Sequence, residues 1–139
     1  YGRDDVLFAS VHRDPSDFHP YFVGYSHERG EGAGLGYTLN LPLPPGAGDA
    51  SVLDALETIC ERVGAYAPDG LVVSLGVDGH ELDPSAGLAI TYDGFRRIGA
   101  RLAGLGLPTV IVQEGGYNID TIGRCVTSAL SGFEHGART

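Results

Sequence analysis

Two short apolar runs constrain this chain most: "GLVVSLG" at 70–76 and "PTVIVQ" at 108–113. Both are continuous rather than alternating, which is the pattern of strands covered on both faces. A stretch of helical periodicity lies between them, from about Tyr92 to Leu105, with Phe95, Ile98, Leu102 and Leu105 on one stripe. A second follows from about Ile119 to Phe133, with Ile122, Val126, Ala129 and Phe133 facing in. A third precedes them, beginning near Asp49 or Ser51, either of which suits an N-cap, and carrying Leu53, Leu56, Cys60 and Val63 at helical spacing. Two more extended segments come first, "VLFASVH" at 6–12 and "YTLNLPL" at 37–43, the latter stopped by Pro42, Pro44 and Pro45. Strands alternating with amphipathic helices predict an α/β fold, a parallel sheet flanked by helices. Ligands of such sheets sit beyond the carboxyl ends of the strands.

The 139 residues suffice for one small domain. There is no methionine, and the chain enters its first strand almost at once, so we expect a piece of something larger. A formal net charge of −9 argues against a nucleic-acid backbone binder and is compatible with cationic substrates. No apolar run approaches the ~20 residues of a membrane span, and none reads as a signal peptide. Cys60 and Cys125 are isolated in predicted helices, which suggests buried thiols in a reducing compartment, the cytoplasm.

Each buried run delivers chemistry just past its end. After the first comes Asp78, between Gly76 and Gly79; after the second comes Gly115-Gly116-Tyr117. Asp78 can be a metal ligand, a catalytic carboxylate, or a helix cap or turn former. "DGHELDP" concentrates Asp78, His80, Glu81 and Asp83, a mixed oxygen and nitrogen set that suits zinc, although the spacing is not that of HExxH. Tyr117 is either a packed aromatic or a phenol that donates to a developing oxyanion. Glu114 beside it reads as a structural acceptor, with a catalytic carboxylate as the alternative. "GEGAGLG" fits neither G-x-G-x-x-G nor a P-loop, and reads as a mobile or tightly turned loop. No G-x-S-x-G elbow exists.

In chain order, "FASVHRDP…HPYFVGY", "GEGAGLGYTLNLPLP", "LVVSLGVDGHELDP" and "VQEGGYN" resemble the zinc-dependent histone deacetylase superfamily, nearest its bacterial acetylpolyamine amidohydrolase branch. The resemblance implies an arginase/deacetylase-like fold, incomplete at the N-terminus, with residues 1–139 as the C-terminal part of one catalytic domain. It implies one catalytic zinc ion with Asp78 as a ligand, and Tyr117 as the transition-state tyrosine in the Gly115-Gly116 turn. It implies a structural potassium ion at Ser10 and the Val11 carbonyl. A second monovalent site would use the carbonyls of Arg3, Val6 and Tyr37. The substrate-channel position usually held by Phe or Tyr falls on His19, which makes the channel more polar.

The family's other zinc ligands, an Asp-x-His, and its paired histidines are absent from this chain. His12, His27 and His80 do not align with them. The implied activity is release of acetate from a small acetylated amine, such as an acetylpolyamine, with no nucleic-acid or membrane partner and with a homodimer left open. Two alternatives are an acetyl-lysine (histone-type) deacetylase and a non-catalytic binding module of the same fold. The 139 residues alone are expected to be inactive, since one carboxylate does not hold zinc.

Overall fold

The structure, a computed structural model, describes residues 1–137. In chain order its elements are β1 (Phe8–Arg13), β2 (Thr38–Leu43), α1 (Asp49–Tyr66), β3 (Leu71–Leu75), α2 (Tyr92–Ala103), β4 (Thr109–Gln113) and α3 (Ile122–Gly136). All four strands and three helices expected from the hydrophobic pattern are present, with ends displaced by at most three residues. No described helix is long and apolar enough to cross a membrane.

The strands pair in parallel, as two ladders among the described residues rather than one continuous sheet. β1 runs beside β2 with Phe8 opposite Thr38 and Arg13 opposite Leu43. β3 runs beside β4 with Leu71 opposite Thr109 and Leu75 opposite Gln113. Helix α2 makes the crossover from β3 to β4, the connection that parallel pairing demands. Both strands of this ladder therefore end at one edge, and the residues that follow them become neighbours.

Among the described residues β3 and β4 are covered on one face. Val72, Val110 and Val112 are 72%, 59% and 43% exposed. On the opposite face Val73, Leu75 and Ile111 join a core of Val52, Val77, Ile90, Phe95, Cys125 and Ala129. A continuous apolar run records that both faces favour burial. It does not say which partner covers each face.

The helix stripes also shift. In α1 the buried positions are Val52, Leu56, Cys60 and Val63, so Val52 replaces Leu53 at the head of the stripe. Gly48 is the N-cap of this helix, and Asp49 has another task. Its carboxylate accepts the Thr91 backbone N–H at 2.8 Å and the Thr91 hydroxyl at 2.6 Å. Thr91 in turn caps α2 by accepting the Gly94 N–H. Asp49 thus joins the starts of two helices.

Helix α2 ends at Ala103, before Leu105. Its most buried positions are Gly94, Phe95, Gly99 and Ala103; those of α3 are Cys125, Ala129 and Gly132. Small residues line this contact because the helix backbones approach closely. A Cβ on Gly99 would meet the backbone of Ala129, and one on Gly132 the backbone of Arg96. Large-residue periodicity finds the stripe only approximately, because part of the seam is glycine.

Candidate active site

The site begins with the backbone beyond β3 and β4. The Glu114 N–H donates to the Leu75 carbonyl at 3.0 Å, and the Val77 N–H donates to the Gly115 carbonyl at 2.8 Å. These bonds continue the parallel pairing past the strand ends, so Asp78 and the Gly115-Gly116-Tyr117 turn lie side by side. Residues distant in sequence meet because parallel strands finish in register.

The glycines have a steric role. A Cβ on Gly76 would lie 2.8 Å from one Asp78 carboxylate oxygen. A Cβ on Gly115 would lie 2.9–3.0 Å from the Asp78 carboxyl carbon and both oxygens. A Cβ at either position would force the carboxylate to move, so its present place depends on both glycines. Gly116 has φ +149°, and a Cβ there would meet the Val77 side chain at 2.5 Å. Glycine is the residue that adopts such a conformation without strain.

Asp78 is half-buried. Among the described residues no hydrogen bond reaches its carboxylate; only its backbone carbonyl is engaged, by the Ser85 hydroxyl at 3.0 Å. A half-buried anion without donors suits a cation as its missing partner. It supplies one ligand, and the described residues contain no group of three His, Cys, Asp or Glu side chains able to hold a metal ion. Asp78 therefore fits zinc as one member of a ligand set, in keeping with oxygen ligation of that metal.

Tyr117 is 64% exposed, and its phenol makes no hydrogen bond among the described residues. Within the described residues the ring is not packed in the core. Its backbone is held instead: the Tyr117 N–H donates to the Asp83 carboxylate at 2.8 Å. Glu114 accepts the Ser74 hydroxyl at 3.2 Å, the structural part expected of it.

The "DGHELDP" cluster does not converge. His80 is fully buried against Tyr92 and Phe95, with its Nδ1 accepting the Leu82 N–H. Glu81 is exposed. Asp83 is buried, and its oxygens accept the backbone N–H groups of Ser85 and Tyr117. Four ionisable groups in sequence thus become one candidate ligand, one packed ring, one surface charge and one backbone clamp. Reading the cluster for metal ligation missed the clamp. The signal was Asp-Pro-Ser at 83–85, an Asx-turn pattern in which a carboxylate accepts the N–H two residues on.

Burial alone would raise the Asp83 carboxyl, but the N–H donors of Tyr117 and Ser85 outweigh it, and its pKa lies below the ordinary 3.8. The two cysteines are free and buried, and burial pushes both thiols up.

The remaining predicted positions lie around this edge or along β1. Arg13 donates to the Ala86 carbonyl at 3.0 Å, and Phe18 packs beside Gly87. These contacts tie the loop carrying His19 to the segment after Asp78, with His19 exposed upon it. Ser10 and Val11 lie within β1. The Ser10 hydroxyl is hydrogen-bonded to His12 Nδ1 at 2.8 Å, and His12 Nε2 to the Gly24 carbonyl at 2.8 Å. Arg3, Val6 and Tyr37 line one shallow cleft with Tyr1, Phe8 and Thr38. His27 stacks on Tyr25. The Gly-rich loop is tightly turned around a 3-10 helix at Gly32–Gly34, where Gly34 is buried against the backbone of Tyr1 and Arg3.

The sequence profile of the histone deacetylase domain matches residues 1–133. The chain belongs to this family. Over 99% of its length it is 49% identical to acetylpolyamine amidohydrolase 1 of Pseudomonas aeruginosa, covering 40% of that protein. A crystal structure of an acetylpolyamine aminohydrolase from Burkholderia pseudomallei superposes with a TM-score of 0.93 at 45% identity, over 96% of this chain and 39% of that one. The structure of the histone deacetylase Clr3 matches with a TM-score of 0.85 at 30% identity, over 92% of this chain and 22% of that one. Family membership bears out the expected deacetylase fold, and the chain spans about two fifths of the length of the acetylpolyamine amidohydrolases it matches.

Proposed function

We propose that the natural protein carrying this chain is a zinc-dependent amidohydrolase that releases acetate from acetylated polyamines. The observation that carries the reading is the juxtaposition of Asp78 and the Tyr117 turn. Among the described residues, a half-buried carboxylate without hydrogen-bond donors lies against Gly76 and Gly115, beside a turn whose phenol makes no hydrogen bond. The substrate class is supported by four relatives of 40–49% identity that carry the acetylpolyamine amidohydrolase name, and a net charge of −9 favours a cationic substrate.

In this reading Asp78 contributes one zinc ligand, and the others come from parts of the domain that this chain does not span. Zinc bound there supplies Lewis acidity and lowers the pKa of a bound water toward about 7. Tyr117 donates its phenolic proton in a hydrogen bond to the oxyanion that forms as the acetamide carbonyl is attacked. Gly115 and Gly116 keep the approach to both groups free of side chains, and His19 gives the channel rim a polar group. A structural potassium ion at Ser10 and the Val11 carbonyl belongs to the same reading. So does a second monovalent ion at the carbonyls of Arg3, Val6 and Tyr37, supported by the cleft these three share.

The test is Tyr117→Phe in the natural protein carrying this chain, loaded with zinc and assayed on an acetylated diamine and on an acetyl-lysine peptide. Loss of one oxyanion donor predicts a fall in kcat of about 10²–10³-fold with zinc content unchanged. Unchanged turnover would sink the assignment. Faster turnover of the peptide would overturn the substrate class.

A further inference from the structure

Tyr117 poses a problem of placement. Its ring is largely exposed, and among the described residues its hydroxyl has no hydrogen-bond partner. Among these residues it is the backbone of Tyr117 that is held. That backbone is held by Asp83, which is only 5% exposed and lies on the segment after Asp78.

We propose that Asp83 is a positioning residue for Tyr117: its carboxylate fixes the tyrosine turn relative to the loop that carries Asp78. One oxygen accepts the Tyr117 N–H at 2.8 Å, and the other accepts the Ser85 N–H at 2.9 Å. The Ser85 hydroxyl donates to the Asp78 carbonyl at 3.0 Å. A continuous path of three hydrogen bonds thus runs from the backbone of the tyrosine to that of the candidate metal ligand. Beside it, the Asn118 side-chain amide donates to the Leu82 carbonyl at 2.8 Å, a second tie between the same two segments.

The chemistry of the clamp fits this work. A buried carboxylate needs compensation, and no cation pairs with Asp83 among the described residues. Its charge is balanced by hydrogen-bond donors, chiefly the N–H groups of Tyr117 and Ser85, and bonds of that kind are short and directional. The clamp therefore holds a distance rather than merely a neighbourhood. An error of 1 Å in the position of a catalytic group costs on the order of 10²-fold in rate.

The proposal rests on Tyr117 as the oxyanion donor, and a double-mutant cycle separates the two claims. Asp83→Asn keeps the shape but turns one acceptor oxygen into an N–H₂ donor facing an N–H. In the zinc-loaded natural protein it should lower kcat roughly tenfold or more, with KM and zinc content within about twofold. In the Tyr117→Phe background the same change should alter kcat by less than about twofold, because the group being positioned is gone. An equal loss in both backgrounds, or none in the native background, overturns the positioning role and leaves Tyr117 untouched. If Tyr117→Phe itself turns over normally, both claims fall. Should Asp83→Asn not fold, Asp83→Glu is read in the same cycle. It keeps both acceptors but displaces them by one methylene, and again an equal loss in both backgrounds overturns the role.

Discussion

The Asp78 carboxylate stands against Gly115 at the distance where any side chain on that glycine would begin. Its carboxyl carbon and both oxygens lie 2.9–3.0 Å from the position a Cβ would take. The tyrosine turn and the candidate metal ligand are thus in contact through a missing atom.

Gly115→Ala should act on Asp78 without unfolding the protein. Gly115 is not in the left-handed region, so alanine fits its backbone, and the atoms it meets are the end of a side chain that can rotate. The displaced carboxylate should bind metal about 10–100-fold more weakly, the range seen when the support of a ligand is disturbed. Zinc affinity by competition with a chromogenic chelator reads this directly. An unaltered affinity would remove Asp78 from the ligand set.

Acid should release the Asp83 clamp. Its folded pKa lies below its ordinary 3.8, so the carboxylate contributes stability that is fully present above that value. This contribution disappears as pH falls through the depressed folded value. Urea midpoints of the native protein and Asp83→Asn, compared from pH 6 to about 2.5, should converge on the acid side. A gap that stays constant with pH would mean that the carboxylate's charge contributes nothing.

Cys60 and Cys125 should be inert in the folded state. Both are buried and both thiols are pushed up by burial, which leaves little thiolate to react. Peptide mapping after alkylation under native conditions should find both unmodified, and both modified once the protein is denatured. Rapid native labelling of either would contradict the packing of α1 or α3.

The elements themselves were legible because their causes are local. "GLVVSLG" and "PTVIVQ" are strands by composition, and the helical stretches between them are set by periodicity. Side-chain placement was less legible. Leu53 and Val52 satisfy one stripe almost equally, and only packing against the core decides that Val52 goes in. At α2 and α3, glycine at the seam hides the contact from any search for large apolar residues. Asp49 looks like a cap in sequence, yet its partner, Thr91, belongs to another helix.

Sequence by itself determined the parallel α/β character, the family and the two candidate site positions, Asp78 and Tyr117. Each of these depends on short-range pattern: an apolar run, a glycine after it, a polar residue after that. Only the tertiary structure decided what the neighbours do. It turned "DGHELDP" from a supposed ligand cluster into one candidate ligand, a buried ring, a surface charge and a clamp. It also decided which face of β3 and β4 packs against the core of this chain. The physical reason is the same in both cases. Hydrophobicity and charge state what a side chain needs, but which atoms meet that need depends on the register of distant strands and on what the rest of the fold brings alongside.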